Sequence, residues 1–203
     1  EVDELIFFNI NANTNKINLN TIDEFADECF MPITIGGGIK SIKDIRELFR
    51  VGADRVSINT NAFKNINFLK EALDSFGKQS IVISIDYKQV NNEPIVFINS
   101  GNINTNKNLF SYLSDLEKSN PGEVLINSID HDGLMKGYDF KTMKKIDQEF
   151  DLKIICSGGL ESSNDIIELY KSTKIKSFSM SSVFHYTELT PMVLKKQLHE
   201  NGL

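Results

Sequence analysis

Long hydrophobic runs are missing from this chain. No stretch of about 18 consecutive apolar residues occurs, which argues against a membrane-spanning helix. The opening residues, EVDELIFFNI, lack the basic flank and small-residue cleavage site of a secretory signal. Cysteine is scarce: Cys29 and Cys156 are isolated and far apart, which fits a reducing, cytoplasmic setting better than a disulfide framework. The three histidines, His131, His185 and His199, show no metal-ligand spacing with either cysteine, so no metal site is expected. A surplus of positive charge is absent too. With 22 Lys and Arg against 28 Asp and Glu, the net charge of −6 and the lack of a dense basic stripe argue against a nucleic-acid surface.

What is present is an ordinary globular balance. The chain has 203 residues, 40% hydrophobic and 25% charged, enough for one sizeable core in a single domain, 1–203. Short apolar runs predict strands over 4–10, 33–36, 55–59, 80–86, 123–129, 153–157 and 177–182. Amphipathic stretches lie between them. In SIKDIRELFRVG the apolar Ile42, Ile45, Leu48 and Phe49 follow a helical period, as do Ile166, Ile167, Leu169 and Tyr170 in SSNDIIELYKST. Strands joined by crossover helices imply a parallel sheet. The segment 87–107, YKQVNNEPIVFINSGNINTNK, departs from this pattern and reads as an inserted strand or hairpin.

ITIGGGIKSIKDI and IICSGGLESSNDI spell one pattern twice: an apolar strand, a glycine pair, a short turn and an acid-bearing helix start. Gly37 and Gly38 align with Gly158 and Gly159, Ser41 with Ser162, Asp44 with Asp165, Ile45 with Ile166 and Leu48 with Leu169, all at one offset of 121 positions. VSINT (56–60) aligns with FSMSS (178–182), and ELIFFNI (4–10) with EVLINSI (123–129). Two strand-helix halves of this kind describe an α/β fold, a (β/α)8 TIM barrel built by duplication. The first half-barrel spans about 1–79 and the second about 80–203. ELIFFNI pairs with the second strand of the later half. Strand 1 and helix 1, roughly 40 residues, are therefore expected upstream of Glu1, because a seven-stranded barrel would leave apolar edges open.

Ligands of such barrels sit at the carboxyl ends of the strands. A glycine pair there lets backbone N–H groups approach an anion, with the next helix start adding its positive dipole. Beside each glycine turn the repeat sets a strand ending in small polar residues: Asn59 and Thr60 in one half, Ser181 and Ser182 in the other. Two such pockets suit a substrate with a phosphate at each end. Asp86 closes the apolar run SIVISID at the same rim, where partial burial favours a general base of raised pKa. Asn127 and Ser128 line a neighbouring strand end, which makes Asn127 a candidate substrate- or phosphate-binding residue, while Asp130 and Asp132 in SIDHDG read first as loop-capping acids. His131 between them reads as solvent-exposed.

Five segments carry a family resemblance: PITIGGGIKSIKDIRELFRVGADRVSINTNAF, SIVISIDYK, GEVLINSIDHDGLMKGYD, KIICSGGLESSNDI and MSSVFHYTE. Together they resemble the cyclase subunit of imidazole glycerol phosphate synthase, essentially end to end. The paralogous isomerase of histidine biosynthesis fits less well around SIDHDGLMKGYD. The resemblance implies that Asp86 is the base in imidazole ring closure, that Asp130 contacts substrate, and that no metal or organic cofactor is needed. It also implies a glutaminase partner in a heterodimer, docked on the amino-terminal face. Side-chain parity with Asn59 points Arg55 into the barrel floor, where Glu4 and Glu123 would balance it. By resemblance these charges gate an ammonia path, and Asp54 lies near the docking face. Asn9 departs from the family, which normally carries an aspartate there. NSIDHDGLMKGYD is also similar to cyclase-like proteins of surface-polysaccharide gene clusters, which work with a glutaminase and a sugar amidotransferase. An ammonia-channelling barrel of that kind is the alternative reading.

Overall fold

The computed structural model describes residues 2–10 and 17–203. The first half runs β1 (Leu5–Phe8), α1 (Leu19–Glu28), β2 (Ile33–Gly36), α2 (Ile42–Arg50), β3 (Arg55–Ile58), α3 (Thr60–Lys64) and α4 (Ile66–Phe76). The second runs β4 (Ile81–Val90), β5 (Glu93–Ile98), β6 (Ile103–Asn108), α5 (Leu109–Glu117), β7 (Glu123–Ser128), α6 (Phe140–Glu149), β8 (Ile154–Ser157), α7 (Ser163–Ser172), β9 (Ser177–Ser179), α8 (Ser182–Tyr186) and α9 (Pro191–Glu200). Seven strands pair in the order β1-β2-β3-β4-β7-β8-β9, every pair parallel, and the sheet curls as a (β/α)8 barrel wall.

Two separate apolar layers follow from strand alternation. Outward residues such as Val56, Ile58, Ile83 and Ile126 pack with helix residues Ile45, Leu48, Leu69, Leu113 and Leu169 in the main core. Inward residues Val82, Leu125 and Ile155 form a second cluster with Ile6. β4 and β7 are covered on both faces, which is why IVISI and VLI read as unbroken apolar runs.

Both expected amphipathic helices form, and their starts follow one plan. Ser41 and Asp44 make a capping box on α2, as Ser162 and Asp165 do on α7. Asp44 also accepts from the Lys40 and Ser41 amides, and Asp165 from those of Glu161 and Ser162. Each cap stabilises its helix by about 1 kcal/mol and fixes the direction in which the chain leaves the glycine turn.

Three boundaries differ from expectation by two residues or more. β4 continues past Asp86 to Val90, because the insertion is a hairpin: β5 pairs antiparallel with β4, and β6 with β5. The left-handed pair Asn91 and Asn92 (φ 52° and 64°) makes its first turn. β9 stops at Ser179, since Ser182 already begins α8. β1 ends at Phe8 instead of running to residue 10.

Candidate active site

Because β2 and β8 are parallel members of one sheet, both diglycine turns lie on the carboxyl-end rim, four strands apart. All four glycines have positive φ: 97° and 76° at Gly37 and Gly38, 88° and 111° at Gly158 and Gly159. A Cβ on Gly37 would lie 2.5 Å from the Asn9 carbonyl oxygen, and one on Gly158 2.7 Å from that of Ser128. Asn9 and Ser128 are equivalent in the repeat, so each turn presses on the same point of the preceding strand. Glycine is required there by both torsion and contact.

The polar strand ends fall beside these turns. β2 pairs with β3, which brings Asn59 and Thr60 next to Gly37 and Gly38, and Asn61 Nδ2 donates to the Lys40 carbonyl at 3.0 Å. β8 pairs with β9, which sets Ser181 and Ser182 beside Gly158 and Gly159. Asn59 and Ser181 are the N-cap residues of α3 and α8, yet neither side chain bonds to its helix.

Asp86 stands between the two turns. Asn59 Nδ2 donates to its Oδ2 at 2.8 Å, and Asn127 Nδ2, directly across the β4–β7 register, to its Oδ1 at 3.1 Å. Burial pushes the Asp86 carboxyl above the ordinary 3.8; the two amide donors pull it down, and the charge on Asp132 pushes it up again. Asn127 Oδ1 is buried without a hydrogen-bond partner among the described residues. The opposite amide orientation would set two acceptors face to face, so the Asp86 carboxylate dictates the one observed.

Below Asp86 a polar file continues through the barrel. The hydroxyls of Ser57 and Ser84, both buried, bond to one another. At the floor Arg55 bridges Glu4, at 3.0 Å, and Glu123, and its Nε donates to the Gln79 carbonyl. Thr34 donates its hydroxyl to Glu4. The parity of β3 therefore produces the ion pairs expected of it. Asp54 is exposed near this face, but its Oδ2 accepts from the Ile33 amide at 2.8 Å, a bond within the chain.

Other residues take duties that the sequence did not reveal. Asp130 accepts from the Gln89 amide at 2.7 Å and Thr60 Oγ1 from the Asn99 amide at 3.0 Å, so Asp130 holds the far end of β4, where the inserted hairpin begins, and Thr60 holds the β5–β6 turn. His131 is half-buried instead of solvent-exposed: its Nδ1 lies 2.8 Å from Ser128 Oγ, and the loop turns back so that Gly137 donates to the Gly159 carbonyl. Asp139 caps α6 and accepts from the buried Tyr87 hydroxyl. Cys156 is buried, with its thiol pushed up by desolvation, which removes it as a nucleophile.

Comparison with known proteins agrees with this geometry. The family model described as histidine biosynthesis protein matches residues 1–190. Imidazole glycerol phosphate synthase subunit HisF of Hydrogenobaculum sp. (strain Y04AAS1) is 37% identical over 206 residues, covering 100% of this chain and 82% of that protein. The HisF subunit of Bacillus cereus (strain G9842) is 34% identical, covering 98% and 80%. That of Methanocaldococcus jannaschii is 36% identical, covering 99% and 82%. The repeated glycine turns, the rim carboxylate and these similarities together place the chain in the histidine biosynthesis protein family, alongside the HisF cyclase subunits of imidazole glycerol phosphate synthase.

Proposed function

We propose that this chain is a cyclase subunit of an imidazole glycerol phosphate synthase, a lyase of histidine biosynthesis. Its substrate is the bisphosphorylated ribulosyl-aminoimidazole-carboxamide ribotide. Ammonia enters and condenses with the substrate's ribulosyl carbonyl, one water leaves, and the products are imidazole glycerol phosphate and aminoimidazole-carboxamide ribotide. The turn Gly37–Gly38 with Asn59 and Thr60 takes one phosphate, and Gly158–Gly159 with Ser181 and Ser182 takes the other. Asp86 removes protons as the ring closes. The observation that carries this reading is the placement of a buried carboxylate, held by two amides, between two equivalent anion cradles on one rim.

A glutaminase docked at the amino-terminal face supplies the ammonia. The Glu4–Arg55–Glu123 bridge guards the entrance, and the Ser57–Ser84 pair offers hydrogen bonds on the way to Asp86. Asp54 borders that face. Asn9, packed against Gly37 where the family resemblance leads one to expect an aspartate, favours the second reading, a barrel that passes ammonia to a sugar amidotransferase.

Titration of the protein with the cyclase substrate separates the two. Tight binding that phosphate competes away supports the synthase, and no binding supports the channelling module. In the synthase, Asp86→Asn abolishes ammonia-dependent cyclisation while affinity stays within about tenfold. Normal turnover by that variant overturns the assignment.

A further inference from the structure

We infer that Asn127 is a positioning residue that acts through Asp86: its amide, wedged between the carboxylate and the second diglycine turn, fixes the direction in which that carboxylate faces the mouth. The inference rests on the reading of Asp86 as the base, and it assigns Asn127 to that base instead of to a phosphate.

Three observations carry it. Asn127 and Asp86 are direct register partners on neighbouring parallel strands, and the amide donor meets Oδ1 at 3.1 Å. The other carboxylate oxygen is taken by Asn59 from the opposite side, at 2.8 Å, so the carboxylate cannot rotate without breaking a bond. Most telling is the far end of the amide. Asn127 Oδ1 is buried, with no donor among the described residues, 2.8 Å from where a Cβ on Gly158 would stand. The donor end of the amide is thus committed to Asp86 and its oxygen to the side of the second diglycine turn. The same wedge ties the second anion cradle to the base, because the planar amide lies between Asp86 and the space beside Gly158.

The groups that face Asp86 are few. β3 contributes Asn59 and β7 contributes Asn127. Asp132, in the loop after β7, supplies a negative charge that acts on it. Lys88, two residues along β4, lies over the Phe97 ring.

The test replaces Asn127 by Leu, which has its shape but no donor. Carbon-13 NMR of labelled aspartates reads Asp86 directly, with Asp86→Asn identifying the signal. The expected result is an upward move of the Asp86 titration, a parallel move of the kcat pH profile, a fall in kcat on the order of tenfold to a hundredfold, and KM unchanged. Asn127→Thr, which restores a donor, should recover part of the titration shift; it also serves if the Leu variant does not fold. An unmoved Asp86 titration overturns the proposal, as does a raised KM with kcat intact, which would make Asn127 a substrate-holding group. Normal cyclisation by Asp86→Asn would instead overturn the base assignment, and the carboxylate titration would still report the amide contact.

Discussion

Asp86 and Asn127 face one another across the β4–β7 register, 41 positions apart in sequence, with the amide donor 3.1 Å from the carboxylate. Asn59 completes the arrangement 27 positions on the other side, at 2.8 Å. A carboxylate this buried keeps its charge only because two donors stand in for water. The net effect still raises its proton affinity, and the consequences are measurable.

The first concerns stability against pH. Burial raises the Asp86 pKa above 3.8 in the folded protein, so folding favours the protonated form. Its contribution to stability is fully present below the unfolded value and is lost as pH rises through the folded one. Asp86→Asn has no such titration. The melting temperature of Asp86→Asn relative to the parent should therefore be higher at pH 7 than at pH 3. A difference that is the same at both pH values would show that burial does not dominate over the two amide donors.

The repeat, the two acid-bearing helix starts and the (β/α)8 class were all legible because their signals are local or periodic. Ser41 with Asp44, and Ser162 with Asp165, declare their helix starts within four residues. Arg55 was placed on the floor by two-residue alternation alone. The Asn127–Asp86 contact was not legible, since parallel register across a hairpin and a helix cannot be counted along the chain. Parity gave a partial signal: 82, 84 and 86 point inward, as do 123, 125 and 127. The roles of Thr60 and Asp130 were hidden for another reason. Both serve the hairpin, and an insertion has no counterpart in the other half to reveal its anchors.

The glycine turns predict a graded cost. Gly37→Ala and Gly158→Ala combine a positive φ with a backbone oxygen 2.5 or 2.7 Å from the new Cβ, and each should lose about 2–4 kcal/mol in denaturant unfolding. Gly202 also has positive φ, 79°, but meets nothing within 4 Å, and its alanine variant should lose about 1 kcal/mol. Equal losses at all three would mean that torsion alone matters and that the turns do not press on Asn9 and Ser128.

The hairpin anchors predict a local change. Asp130→Asn weakens the acceptor for the Gln89 amide, now 2.7 Å away. Exchange of that amide should quicken by about fivefold, equivalent to roughly 1 kcal/mol, while amides of β7 and β8 are unchanged. An unchanged Gln89 amide, paired with weaker substrate binding, would give Asp130 the substrate contact that the family resemblance implies for it.

The floor makes the sharpest demand on charge. Arg55, with a side chain 16% exposed, neutralises Glu4 and Glu123 at once, whose side chains are 26% and 28% exposed. Arg55→Leu leaves two carboxylates facing each other without a cation, and should cost roughly 2–3 kcal/mol, less than the ~3–5 kcal/mol of a fully buried pair because water reaches the rim of this site. Adding Glu123→Gln to Arg55→Leu removes the repulsion and should recover a large part of the loss. Chemical denaturation of the single and double variants at pH 7 reads both steps. If the double variant is no more stable than the single, the arginine acts through its bond to the Gln79 carbonyl and its packing, not by holding the two acids together.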